Sequence, residues 1–267
     1  MEESVPPKPD QNFVTCIYEA KIAGFCRNVT VTWSKNLINH ILSIHVESLS
    51  AENPYTCKID LKPWQFWGKK GLKSFRVDDK RVDVFWDLRT AKFWGSCPEP
   101  LGLLRGGDLK KDALKRTKCR PSLVDAVMVY KKECLFGKKN FSTRTKLGQE
   151  GKYKEHEVLI ETSLSGPCDP EMMISMDGNV VIRVKNLHWG FRGSESVLVG
   201  DVPLMIFWDV HDWMYTGPNS GQGFFIFRPG EPESVVQDRK EDDIMGGEEV
   251  WEEKSEFCHL LCAWKIE

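Results

Sequence analysis

Residues 81–88 read RVDVFWDL, and residues 206–210 repeat its aromatic-acid centre as IFWDV. In the first stretch Val82, Val84, Trp86 and Leu88 alternate with Arg81, Asp83, Phe85 and Asp87. Successive side chains leave a strand on opposite faces, so this alternation predicts a strand with one buried face. The same rhythm runs through RNVTVTW (27–33), which aligns Val29, Val31 and Trp33, and YTCKIDL (55–61), which aligns Cys57, Ile59 and Leu61. VDDKR at 77–81 supplies a hairpin turn before the opening stretch.

Further strand-like segments follow at 122–130, 140–147, 156–162, 170–184, 195–210 and 223–228. Within the fourth, Asp177-Gly178-Asn179 separates two apolar runs as a type I′ turn would. One segment breaks the pattern: DLKKDALKRTK (108–118) follows Gly106 and Gly107 with a capping Asp108, and it predicts one short helix near 108–118. The fold expected is all-β, with two pseudo-repeated antiparallel sheets forming a sandwich or a flattened barrel.

The expected organisation is a disordered tail over 1–11, then a single β domain over 12–228 built of two pseudo-repeats, about 12–93 and 140–215. An acidic mobile loop over 229–254 and a returning C-terminal strand over 255–267 complete it. The repeat rests on three landmarks in order. Asn12-Phe-Val-Thr is echoed by Asn140-Phe-Ser-Thr, Trp64-x-Phe66-x-Gly68 by Trp189-x-Phe191-x-Gly193, and Trp86-Asp87 by Trp208-Asp209. Each interval is three residues longer in the first copy, as insertion after tandem duplication would leave it.

Composition sets the remaining bounds. Apolar residues make up 41% and charged residues 28%, the balance of a globular protein, and ten Trp with fourteen Phe suit pleated sheets. MEESVPPKPDQ at the start lacks the apolar region of an export signal, and no run approaches the roughly 18 apolar residues of a membrane helix. Nine cysteines, an odd and scattered set, then read as reduced thiols of a cytosolic or nuclear protein.

Several long motifs together resemble a plant family known as domain of unknown function 868. They are NFVTCIYEAKIAGFCRNVTVTWSKNLINHILSI, CKIDLKPWQFWGKKGLKSF, VDVFWDLRTAKF, GDLKKDALKRTK and LHWGFRGSESVLVGDVPLMIFWDVHDW. The resemblance covers residues 12–228 and the closing apolar strand, and it implies a plant protein with no activity, catalytic residue or cofactor to carry over. One departure stands out. In the family, the Pro-Glu-Pro after the first Trp-Asp strand leads into a hydrophobic hairpin, whereas Pro98-Glu99-Pro100 here is followed only by LGLLRG before Gly107-Asp108. Loss of a strand pair leaves unpaired sheet edges, which invite aggregation or misfolding, so the chain is expected to be less stable than relatives that keep the hairpin.

Candidate chemistry is sparse. Asp209, His211 and Asp212 in WDVHDW (208–213) could serve an enzyme as base or ligands, but in a strand only Asp209 and His211 share a face. The first copy places Arg89 where His211 falls, so the scaffold recurs without the chemistry. Cys258, His259 and Cys262 lie on an apolar segment with no second ligand pair at zinc spacing. No catalytic residue, metal or cofactor is therefore assigned. Trp33, Trp64, Trp86, Trp189 and Trp208 are expected in the structural core.

Charge is distributed unevenly. Residues 105–154 hold fifteen Lys and Arg against five acids, whereas 230–267 hold twelve acids against four bases. Lys110, Lys111, Lys115, Arg116, Lys118, Arg120, Lys131, Lys132, Lys138 and Lys139 are the candidates for a surface that binds an acidic protein or anionic lipid headgroups. Nucleic acid is disfavoured, because no aromatic single-strand platform accompanies the bases. The reading that results is a non-enzymatic binding or protein-interaction module. An anionic-lipid or nucleic-acid binder through 110–139, and an enzyme using Asp209 and His211, are the alternatives.

Overall fold

The computed structural model describes residues 13–35, 40–49, 54–61, 70–87, 111, 114–115, 126–136, 140–148, 154–163, 169–216, 221–230 and 257–264. The chain is all-β, in antiparallel sheets that among the described residues do not close into a barrel, which selects the sandwich-like alternative. It divides into two compact units, Met1–Phe136 and Gly137–Glu267.

In the first unit, β1 (Phe13–Ile22), β2 (Phe25–Lys35), β3 (His40–Val46) and β4 (Tyr55–Leu61) form a meander. A later strand, β7 (Val127–Phe136), adds beside β1, so the order is β7-β1-β2-β3-β4. β5 (Lys70–Val77) and β6 (Lys80–Asp87) form a separate hairpin. Alternation in β1–β4 gathers Val14, Cys16, Trp33, Leu42, Cys57 and Ile59 on one buried face, and Phe75, Val84 and Trp86 of the hairpin pack against it.

Polar contacts pin the hairpin to this sheet. Asp78, at φ +50° in the β5–β6 turn, pairs with the buried Arg27 of β2 and accepts a 2.8 Å hydrogen bond from the Tyr55 hydroxyl. Arg27 also donates to the Glu47 carbonyl (2.8 Å), and Lys80 to the Ala23 carbonyl (2.8 Å). A buried guanidinium needs such partners, because its charge has left water.

In the second unit, β8 (Phe141–Leu147), β9 (Lys154–Ser163), β10 (Glu171–Met176) and β11 (Asn179–Val184) form a four-stranded meander. The turn at Asp177 (φ +48°) and Gly178 (φ +81°) is the left-handed pair that the Asp-Gly sequence predicts. β12 (Arg192–Val199), β13 (Val202–Asp209), β14 (Gln222–Pro229) and β15 (Cys258–Trp264) pair in that order. The C-terminal segment thus returns to a sheet. Strict alternation buries Phe141, Thr143, Thr145 and Leu147 of β8, and Phe225 and Phe227 of β14 are fully enclosed.

Two hairpins, β5–β6 and β12–β13, share one register. Gly71 faces Trp86 and Lys70 faces Asp87; Gly193 faces Trp208 and Arg192 faces Asp209. An added Cβ would lie 2.2 Å from Cζ2 of Trp86 at Gly71 and 2.3 Å from Cζ2 of Trp208 at Gly193, so in both hairpins the indole lies across the bare glycine. Lys70 then pairs with Asp87 at 3.4 Å, and Arg192 with Asp209 at 2.7 Å. This register corrects the sequence match at the Trp-x-Phe-x-Gly landmark: the counterpart of Gly193 is Gly71, not Gly68. Trp67-Gly68-Lys69-Lys70-Gly71 aligns with Trp189-Gly190-Phe191-Arg192-Gly193; the interval to the Trp-Asp landmark becomes 19 residues in both, and the whole length difference, six residues, moves to the interval that begins at Asn12 and Asn140.

Of the expected core tryptophans, Trp33 and Trp208 are buried and Trp86 is half-buried against the core, while Trp64 lies outside the described residues. Trp189 departs from the expectation. It is 85% exposed, because it stands in a turn after β11 rather than on an alternating strand. From the 108–118 segment, Lys111, Leu114 and Lys115 are described, and they are helical and exposed. The segments 1–11 and 231–254, and the site of the absent family hairpin after Pro100, lie outside the described residues.

Two stability predictions arise here. Asp78→Asn keeps the turn conformation but removes the carboxylate from Arg27, and chemical denaturation should register a loss of about 1–3 kcal/mol. The Asp177 carboxyl is held below the usual carboxylate range, first by the Glu157 backbone N–H (3.0 Å) and then by the His156 ring (2.7 Å), with Lys154 a weaker influence. A depressed folded-state pKa contributes stability that is present above the unfolded value of about 3.9 and is lost as pH falls through the lower folded value. Asp177→Asn should therefore flatten the acid limb of a stability-against-pH curve below about pH 4, and leave the limb above neutrality unchanged.

Candidate binding face in the second unit

The segment between β11 and β12 folds as a tight turn with a fixed base. Leu187 is fully buried and its N–H donates to the Pro170 carbonyl (2.7 Å). Asn186 adopts φ +55°, and its carbonyl accepts the N–H groups of Trp189 (3.0 Å) and Gly190 (3.2 Å). The Gly190 carbonyl in turn accepts the Trp208 indole N–H at 2.9 Å. A buried leucine and a core tryptophan therefore hold the turn from both sides. The Trp189 side chain projects from it, with no hydrogen bond or ring contact among the described residues.

After β13 the chain meets this turn again. Asp209 ends the strand, and its carboxylate accepts Arg192 Nε (2.7 Å) and the His211 backbone N–H (3.1 Å). The Val210 N–H donates to the Phe191 carbonyl (2.9 Å). His211–Tyr215 then forms one helical turn, with Trp213 buried against Phe141 at a 5.7 Å ring-centroid distance. The expected strand geometry, with Asp209 and His211 on one face, is thus replaced: the strand stops because Asp209 caps the turn with its own side chain.

The helical turn brings four rings together. His211 lies 5.0 Å from Phe191 and 5.1 Å from Tyr215, and Phe191 meets Tyr215 edge-on at 6.4 Å. The Tyr215 hydroxyl lies 3.0 Å from His188 Nδ1, their rings 6.1 Å apart. His211 Nδ1 is 2.9 Å from Asp212 Oδ1, and the Arg192 guanidinium lies 5.8 Å from the Phe191 ring centre. Tyr215 is half exposed.

Sequence reading placed Asp209, His211 and Asp212 here but missed His188, Phe191 and Tyr215 and the exposure of Trp189. A usable signal existed at the constant offset between the two hairpins. The counterparts of His188, Phe191, His211, Asp212 and Tyr215 are Phe66, Lys69, Arg89, Thr90 and Phe93, so the scaffold residues recur while these do not.

The basic candidates are not brought together by the described structure. Lys111 and Lys115 are exposed and Lys132 is half-buried. Lys131 is buried, against the expectation of a surface cation, because it shares a face of β7 with the buried Glu133 and pairs with it at 2.6 Å. Lys110, Arg116, Lys118, Arg120, Lys138 and Lys139 lie outside the described residues.

Other potential chemistry is structural. His259 is buried beside Phe227 at 5.7 Å, and burial pushes the Cys258 thiol pKa up, which disfavours the thiolate. Among the described residues no three His, Cys, Asp or Glu side chains group to hold a metal, and no helix is long and apolar enough to cross a membrane, which says nothing of a β-barrel.

No curated protein and no solved structure matches the chain. A family profile described as "Plant protein of unknown function (DUF868)" matches residues 9–265, nearly end to end. The chain belongs to that plant family.

Proposed function

We propose that the chain is a non-enzymatic binding module of the cytosol or nucleus, a duplicated β scaffold whose second copy carries the binding face. Duplication is supported by the shared register of the two hairpins and by the glycine under each indole. The observation that carries the binding reading is Trp189: a large apolar side chain 85% exposed on a backbone fixed at both ends. Exposing an indole on a turn held at both ends forfeits burial energy that the other described tryptophans collect, and it leaves a large ring available for contact with another molecule. Asp209 and His211 act here as turn-forming and ring-packing groups rather than as catalysts.

Trp189→Ala removes the indole without touching the core, so its stability should stay within about 0.5 kcal/mol of the parent. Leu198→Ala, at a residue 72% exposed on β12, serves as a control of matching stability. Affinity capture of proteins and small molecules from plant extract then compares the three chains. At least one component should be lost with Trp189→Ala and kept with Leu198→Ala; identical sets from all three would contradict the reading.

A further inference from the structure

We propose that β4 is a docking edge for a second molecule of this chain: two β4 strands pair antiparallel, with each Lys58 opposite the other molecule's Asp60. The surface lies in the first unit and is independent of the face around Trp189. Among the described residues β4 ends the order β7-β1-β2-β3-β4, and register shows which of its backbone groups are left over. The Glu47 N–H donates to the Asn28 carbonyl (3.0 Å), so these two extend the β2–β3 pairing as a hydrogen-bonded pair. Bonded and non-bonded pairs alternate along antiparallel strands. Ser43 and His45 therefore turn their backbone groups to β2, and Leu42 and Ile44 turn theirs to β4. That leaves the backbone groups of Thr56, Lys58 and Asp60 on the open side. The Lys58 carbonyl there accepts Lys73 Nζ at 2.5 Å, a side-chain donor where the edge offers no strand.

The side chains specify the occupant. Thr56, Lys58 and Asp60 stand exposed on one face of β4, and the Lys58 and Asp60 side chains have no partner among the described residues. Two residues apart and opposite in sign, they form a self-complementary pair. Laid antiparallel about Ile59, two β4 strands set each Lys58 against an Asp60, giving two cross-strand charge pairs and the backbone bonds between the same residues. The neighbouring registers that also match open-side groups set Lys58 against Lys58, or Asp60 against Asp60. One register thus satisfies backbone and charge together, and a two-fold axis through Ile59 closes the contact.

The terminal strands β8, β11 and β12 lack this property. β8 exposes Arg144 and Lys146, two cations that already face Glu157 and Glu155 of β9. β11 exposes Arg183, which pairs with Glu171 at 3.1 Å. β12 carries the exposed Glu195 on the face of Gly193, and a charge directed inward blunts an edge. At β4 the guard is Lys73, whose amine occupies the carbonyl that pairing uses. The dimer forms against that competitor, so its contact is small and reversible.

Sedimentation equilibrium of the full chain, over a concentration series reaching about 1 mM, tests this. The parent should show a reversible monomer–dimer equilibrium. Asp60→Lys and Lys58→Asp should each weaken self-association about tenfold or more, while an equimolar mixture of the two should restore it, because each then meets the charges that its own copy lacks. Lys73→Met should tighten the dimer, since it removes the competing amine. Circular dichroism matching the parent's would establish that all three variants are folded. A parent that stays monomeric throughout the series overturns the proposal. So does a dimer indifferent to both charge reversals, a mixture that fails to recover, or a Lys73→Met dimer no tighter than the parent's.

Discussion

A tryptophan laid across a glycine is the constraint on which both hairpins depend. At Gly71 and at Gly193 the opposite strand offers an indole whose ring occupies the space where any other residue would place its Cβ. Glycine inside a strand is costly, since it gives up backbone freedom and contributes no side chain. The indole offsets that cost by covering the bare backbone and carrying its own surface into the interior. In the first unit this ring packs against the Val14–Ile59 cluster; in the second it is buried and reaches the Gly190 carbonyl. One steric requirement thus orients each hairpin, and in the second hairpin it also fastens the turn that exposes Trp189.

Strand character was readable because period-two alternation is a property of neighbouring residues. The turns at Asp78 and Asp177-Gly178 were readable because few residues tolerate positive φ. The likeness of the two Trp-Asp hairpins was readable as an echo, though its alignment at the Trp-x-Phe-x-Gly landmark was not. That string matched the wrong glycine because letters cannot show which one faces Trp86; pairing across strands decides it. Trp189 was misplaced for a related reason. Composition assigns a tryptophan to the interior on average, yet the turn that begins at Asn186 takes this one off the strand. Lys131 erred in the opposite sense, because a charge count does not see that Lys131 and Glu133 share one buried face.

The two hairpins illustrate how scaffold and surface separate within a fold. The residues that build the hairpin are shared by β5–β6 and β12–β13, namely glycine, tryptophan, aspartate and the cation opposite that aspartate. The residues that form the ring cluster are not shared, and they come from the turn before β12 and from the helical turn after β13. His211 and the two aspartates once suggested catalysis. In the folded chain Asp209 stops the strand, His211 packs between Phe191 and Tyr215, and Asp212 holds the His211 ring.

The most direct measurement is a double-mutant cycle at the Gly193–Trp208 pair, read by denaturant unfolding. In the parent, Gly193→Ala drives a methyl group into the indole and should cost about 1–3 kcal/mol. With Trp208→Leu already in place the obstruction is gone, and the ordinary preference for alanine over glycine in a strand should reassert itself as a gain of about 0.5–1 kcal/mol. The account predicts this reversal of sign. An equal cost of Gly193→Ala in both backgrounds would show that the indole does not set the glycine, and would contradict it.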